Sequence, residues 1–336
     1  MTLRTIFGSE VYLTMIASAI ALGGVACTIV TTDGTPTPVA PGGTVPGTDG
    51  GLTEPGPDGG VAADGGASSG AGNFGAISLS SNTLSVGTTD VNSSSASAFF
   101  SAATVGGTTT TTKCTTTTDG SCSVTECDTT PAAPVEAGAP VDAGTPPKPA
   151  NAGAIDVTGG TIGAEGIELA VGETGLYTAV SGQTKLWAGG EDISVKAAGD
   201  TVPAFAQKVK APSIVTLTEP TLPAAGQQLT VDRTKEMKIT WTGGTSGDVQ
   251  VAISGSAGNK LTSISCTFPA SNSNGAITAA ALGKLPVVSA APDTGSFFLS
   301  SSSSTAFKQG DWTLSLSATS FGKAGSSYAS AQLKIQ

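Results

Sequence analysis

Histidine is missing altogether from the 336 residues. That removes the commonest proton shuttle near neutral pH and the commonest transition-metal ligand together. Aromatic residues make up only 5% of the chain, so surfaces on which a sugar ring or a base could stack are confined to a few positions. Cations are scarce too: 15 Lys and Arg against 25 Asp and Glu give a net charge of −10, and no basic run occurs. Such a chain has nothing to neutralise a row of phosphates, and no nucleic-acid partner is expected. Long apolar runs are also lacking, since the stretch Val11–Leu22 is too short to span a bilayer stably.

What the chain has in quantity is Gly (46) and Pro (19), with abundant Ser and Thr, so part of it cannot build a core. Residues 1–26 read as an export signal. Arg4 supplies positive charge, Val11–Leu22 an apolar stretch, and Gly24-Val25-Ala26 the small residues of a cleavage site. Cys27 follows at once. The stretch Leu22-Gly23-Gly24-Val25-Ala26-Cys27 resembles the lipobox of bacterial lipoproteins, with Gly24 where that family usually has leucine. The resemblance implies lipidation of Cys27 and a membrane partner through the lipid anchor. Thr28 in place of aspartate implies the outer membrane of the cell envelope, and plain secretion is the alternative.

Residues 27–73 carry five carboxylates, no Lys or Arg, and repeated Gly and Pro. A segment of this kind cannot bury enough surface to offset the entropy of ordering it, and reads as a tether with a mean reach of about 35–40 Å. Four further segments follow by composition and periodicity. Residues 74–130 form a small β-module, 131–150 a Pro/Ala-rich linker or loop, and 151–210 a strand region that could share a domain with 74–130. Residues 211–336 form the fourth and last.

The fold class expected is all-β, an antiparallel sandwich. Ile77 and Leu79, Ile155 and Val157, Ile193 and Val195, and Val249, Val251 and Ile253 all recur with period two, one face apolar and the other small and polar. Only Ala279–Leu285 has the look of a helical turn. In residues 211–336 about seven short strands are expected, with Trp241 and Trp312 committed to the core by their alternation. The stretch ITWTGGTSGDVQVAI, residues 239–253, resembles the central strands of immunoglobulin-like domains of microbial surface proteins, which implies that Trp241 packs between two sheets. Lipobox, linkers and Ser/Thr-rich β-segments together resemble envelope lipoproteins of myxobacteria and related predators.

Beyond Cys27 lie Cys114, Cys122, Cys127 and Cys266. In an oxidising compartment the close trio is expected to form one disulfide and leave one thiol over, with zinc as the alternative. Cys266 alternates with Ile264 and Phe268, which reads as a small buried hydrophobe. Chance matches to catalytic motifs are discarded: Gly66-Ala-Ser68-Ser-Gly70 lies in the tether, and no histidine exists to activate Ser68. A Ser–Lys pair needs no histidine, and Lys185, Lys235 and Lys260 are its candidate cations. No enzyme activity, metal or cofactor is expected. The two functional classes left are a structural or protein-binding envelope module and a carbohydrate-binding or adhesive one with an envelope protein or polysaccharide as partner. For the second, Trp187 is the one candidate ligand-facing aromatic, since Gly189 and Gly190 place it beside a turn; packing in a core is its plainer reading.

Overall fold

Alternation of large apolar residues with Ser, Thr and Gly builds almost everything in the computed structural model, which describes residues 72–86, 89–102, 113–128, 148–172, 175–180, 185–224, 226–289 and 292–336. The expected signal segment, Cys27, nearly all of the tether and residues 131–147 of the linker lie outside the described residues. In chain order the strands are β1 (Asn73–Val86), β2 (Thr89–Ala102), β3 (Lys113–Asp119), β4 (Cys122–Asp128), β5 (Lys148–Pro149), β6 (Ile155–Gly159) and β7 (Gly163–Val171). Then come β8 (Tyr177–Val180), β9 (Asp192–Ala197), β10 (Phe205–Lys210), β11 (Thr216–Glu219), β12 (Gln228–Val231), β13 (Met237–Thr242) and β14 (Asp248–Ala257). The last are β15 (Lys260–Pro269), β16 (Asn274–Ile277), β17 (Thr294–Gln309), β18 (Trp312–Phe321), β19 (Lys323–Ala324), β20 (Ser327–Tyr328) and β21 (Ser330–Ile335). One helical turn, α1 (Ala279–Leu282), is capped by Thr278, whose hydroxyl accepts from the Ala281 N–H at 3.1 Å.

The fold is all-β and sandwich-type. A long sheet runs β10-β9-β6-β7-β8-β2-β1-β18-β17-β14-β15-β4-β3, and a five-stranded sheet, β16-β13-β11-β19-β20, covers part of it. Hairpins connect neighbours where a two-residue turn begins with glycine: Gly120 (φ 59°) joins β3 to β4 and Gly310 (φ 58°) joins β17 to β18. That left-handed geometry matches the twist of the flanking strands and is open to glycine without a Cβ clash. Pairing departs from pure antiparallel order at three places. β1 runs parallel to β18, from Asn73↔Trp312 to Ser80↔Thr319, and β12–β21 and β11–β19 are parallel as well.

Two hydrophobic cores form along the long sheet. The first gathers Ile77, Leu79, Phe100, Tyr177, Trp187, Ile193, Val195 and Phe205 with Trp312, Leu314 and Leu316. It closes because β10 folds back over β17 and β18, Phe205 lying 5.5 Å from Phe307 between ring centroids. The second gathers Cys122 and Val124 with Val215, Trp241, Val249, Val251, Ile264, Cys266, Phe297 and Leu333, between the five-stranded sheet and β14, β15 and β17. Trp241 is buried there, 6.1 Å from the Phe268 ring, and its indole N–H donates to the Ala270 carbonyl at 2.8 Å.

The expected segment boundaries are corrected at three points. Ala211 belongs to the first core and Val215 to the second, so the chain does change core near residue 211. Yet residues 211–336 are not a sandwich closed on itself, because the first half of β18 lines the first core, and Trp312 packs 6.4 Å from Phe100. The module 74–130 divides, β1 and β2 joining 151–210 in the first core while the β3–β4 hairpin joins the second. The end of the expected linker is folded too, since Lys148 and Pro149 pair with β2 and Ala150 is buried.

Candidate functional site

Where the two cores meet, a polar seam replaces apolar contact. Ser81 accepts the Leu186 N–H at 2.9 Å, Ser320 donates to the Ser81 carbonyl at 2.8 Å, and the Asn82 side-chain carbonyl accepts the Phe321 N–H at 2.8 Å. Trp187 lies in this seam, fully buried, its indole N–H donating to the Ser320 hydroxyl at 3.0 Å. The ligand-facing reading of Trp187 is therefore corrected. The turn at Gly189 and Gly190 exists, but it directs the indole inward, where Ser320 satisfies its one polar atom.

Directly above the seam a groove of about 350 Å³ opens between the 185–189 loop, β11, the 243–245 loop and β19. Its walls carry Lys185 and Lys323, with the hydroxyls of Thr83, Ser213, Thr216 and Thr245, and no acidic residue lines it among the described residues. Gly189 (φ 129°) and Gly243 (φ 88°) shape the floor. A Cβ on the first would stand 2.9 Å from the Ser213 Cα, and one on the second 2.9 Å from the Ile214 oxygen.

Glu191 bears on the groove through Gly189 and Lys185, both of which line it. Both of its oxygens are taken by backbone, accepting from the Ala188 N–H at 2.8 Å and the Gly189 N–H at 2.6 Å. Burial works to raise its pKa, but those N–H groups and the Lys185 ammonium outweigh it and hold the carboxyl below its ordinary range. Among the described residues the ion pairs join Lys210 to Asp192, Lys235 to Asp232, Lys238 to Glu219 and Lys284 to Glu126, leaving Lys185 and Lys323 outside them.

Lys323 stands directly across from Tyr328 in the β19–β20 pair. Tyr328 meets Phe321 edge-on with centroids 5.5 Å apart, and Phe321 meets Phe298 in the same way at 5.0 Å. A half-buried rank of three rings thus extends away from the groove's cationic wall. Composition could not reveal it, because the rings come from three strands and meet only through sheet pairing.

Ser213 and Lys185 both line the groove, the placement that a Ser–Lys pair requires. Its oxygen instead accepts the N–H groups of Thr245 at 3.2 Å and Ser246 at 3.1 Å and bonds the hydroxyls of both residues. That hydroxyl holds the 243–246 loop in place. Of the other two lysines weighed for such a pair, Lys235 bonds Asp232 at 2.9 Å, and Lys260 pairs across from Ala257 at a hairpin end.

The cysteines form two cross-strand bridges: Cys114–Cys127 between β3 and β4, with Cα atoms 4.0 Å apart, and Cys122–Cys266 between β4 and β15, at 3.9 Å. The first is the disulfide expected within the trio. The second corrects the free-thiol reading of Cys266. Cys266 is buried on the apolar face of β15 as its alternation required, but directly opposite Cys122, whose side chain shares that face. With all four sulfurs bonded to one another, the zinc reading of the trio falls as well.

No family model matches the chain, and no curated protein matches it in sequence.

Proposed function

We propose that the protein is a non-catalytic, lipid-anchored component of the cell envelope, in which Cys27 carries the lipid, the Gly/Pro-rich segment acts as the spacer, and residues 70–336 act as a structural or protein-binding unit. The observation that carries this reading is the cysteine pairing. Four of the five cysteines are bonded to one another, which leaves Cys27 the one thiol with no partner in its own chain. An odd cysteine at the end of an export signal is where a lipid would be attached, and disulfides at the other four suit an oxidising compartment. Several acyl chains at one site give lasting attachment, each buried methylene contributing about 0.8 kcal/mol.

Metabolic labelling with a fatty acid tests it. The native protein should take up label and partition with membranes, and Cys27→Ala should lose both. Label persisting in the variant, or a free Cys27 thiol on mature protein, overturns the reading.

A second reading, a carbohydrate-binding or adhesive module, is favoured by a separate observation: two lysines and several hydroxyls share one groove beside a rank of half-buried rings.

A further inference from the structure

We infer that the groove between the 185–189 loop and β19 binds an acidic saccharide, its carboxylate held by Lys185 and Lys323. The inference deepens the carbohydrate reading and rests on it; lipidation of Cys27 is independent of it.

In a chain with a net charge of −10, two ammonium groups share a groove that no carboxylate lines among the described residues. A second groove, on β9 and β10, likewise has two lysines and no carboxylate in its lining, Lys196 and Lys208, but there Lys196 stands in register with Asp156 on β6. At the candidate site Glu191 has both oxygens on backbone N–H groups and still interacts with the Lys185 ammonium. An incoming carboxylate would share Lys185 with Glu191 and meet Lys323 outside the ion pairs of the described residues, and charge-assisted hydrogen bonds of this kind are the strong ones.

The class of anion follows from what surrounds the lysines. The Thr216 hydroxyl can donate and accept, as sugar hydroxyls do, whereas a bare inorganic anion uses donors alone; the Thr83 hydroxyl already donates to the Asn92 side chain at 2.9 Å and that of Thr245 bonds Ser213. Tyr328 stands across from Lys323 on the same face of the β19–β20 pair and continues through Phe321 to Phe298. These rings lie outside the groove's lining, so they offer an apolar surface to the C–H face of a neighbouring pyranose of an oligomer whose carboxylate reaches the ammonium in the groove. The floor is preset, because Ser213 pins the 243–246 loop and Glu191 pins the 188–189 turn. Little ordering cost then remains for binding.

The experiment measures binding of the full-length protein to oligogalacturonate by titration calorimetry. Two further probes run beside it: the same oligomer with its carboxylates methyl-esterified, and inorganic phosphate. Saturable binding to the acid form is expected, weakening with salt and at least tenfold poorer for the ester. Lys185→Gln and Lys323→Gln should each weaken it about tenfold, the loss typical of one charge-assisted hydrogen bond. Lys323→Arg should retain most of it, and Lys235→Gln, at a paired surface lysine outside the groove, should change nothing. Thermal melting of each variant separates loss of binding from loss of fold.

No binding to the acid form, or binding indifferent to both lysine variants, overturns the inference. Phosphate competing on equal terms overturns it as well, by showing a site for small anions in general. If the ester binds as tightly as the acid, the carbohydrate reading survives and the acidic preference falls. If neither oligomer binds, both fall.

Discussion

The two cores solve the same problem in different ways. Each borrows a piece of chain from the far side of residue 211: the first takes the leading half of β18, the second takes the β3–β4 hairpin. β18 lies centrally, hydrogen-bonded to β1 on one side and β17 on the other, and needs no further tie. The β3–β4 hairpin lies at the end of the sheet path and reaches the rest of the sheet through the pairing of β4 with β15. There the covalent bond is found. Cys122–Cys266 fastens the borrowed hairpin to its host strand, Cys114–Cys127 ties the hairpin to itself, and Thr278 adds a hydrogen bond to Asp119 at the hairpin turn. A disulfide at a sheet margin does what a second neighbouring strand does at the centre.

Breaking the covalent side of that comparison gives the largest expected effect. Cys122–Cys266 closes a separation of 144 residues and Cys114–Cys127 one of 13. On the chain-entropy account the first contributes about 5 kcal/mol and the second about 3 kcal/mol. Replacing both members of each pair with alanine and measuring denaturant midpoints under non-reducing conditions should reproduce that order. Equal losses would mean that the hairpin is held by its backbone pairing, and the contrast with β18 would fail.

Next comes the claim that the cores stand or fall together. Trp241→Ala empties a fully buried indole site in the second core and should cost about 3–5 kcal/mol, a large part of a typical domain's total stability. Strand β17 runs through both cores, with Phe297 and Leu299 in the second and Phe307 packed against the first. The variant should therefore melt in one transition, earlier throughout, with the first core's Trp187 and Trp312 fluorescence shifting along with the far-UV signal. Two separated transitions would restore an independent 211–336 unit.

The strands themselves were legible because their signal is local. Val249, Val251 and Ile253 announce a half-buried strand within five residues, and β14 shows the expected alternation of buried and open positions. Trp241 was legible for the same reason, as was the helical turn beginning at Ala279. Pairing between distant strands carries no local period. Nothing around Cys266 says that Cys122 lies opposite, since an apolar alternation looks the same for a small hydrophobe and for half a cystine. Trp187 shows the converse difficulty. Its neighbours Gly189 and Gly190 mark the turn correctly, but the direction of the ring depends on Ser320, 133 residues away. Lys185 and Lys323 line one groove only because the 185–189 loop and β19, far apart in sequence, come together there.

A smaller effect sharpens the polar seam between the cores. Ser320→Ala leaves the buried Trp187 indole N–H and the Ser81 carbonyl each without the hydroxyl they share. Losing a buried hydrogen-bond partner typically costs about 1–3 kcal/mol, more than the value of the bond itself. Chemical denaturation should show that loss. Ser320→Thr, which keeps the hydroxyl, should recover part of it. An alanine variant as stable as the parent would mean that water takes the hydroxyl's place, and the seam would then be wet.

The smallest effect concerns the carboxylates on either side of the seam, and its sign follows from their shifts. Glu191 has a pKa held below its ordinary 4.5: burial opposes the charge, and the Ala188 and Gly189 N–H groups with Lys185 more than offset that opposition. A carboxyl depressed in the folded state binds its proton more readily when unfolded, so its stabilisation is complete above the unfolded pKa and fades as pH falls through the folded one. Glu191→Gln should therefore flatten the stability profile below about pH 4.5, with a difference under about 1 kcal/mol because the group is partly open to solvent. Asp232 serves as the contrast. The Thr234 hydroxyl first, and the Lys235 ammonium with it, hold its carboxyl down from 3.8 to about 2, so its stabilisation is complete above the unfolded value and fades further into acid than that of Glu191. Melting temperatures across the acid range should show a changed slope in both Glu191→Gln and Asp232→Asn, the second reaching down to about pH 2. A Glu191→Gln slope identical to the parent's would mean that the turn beneath the groove is held without Glu191.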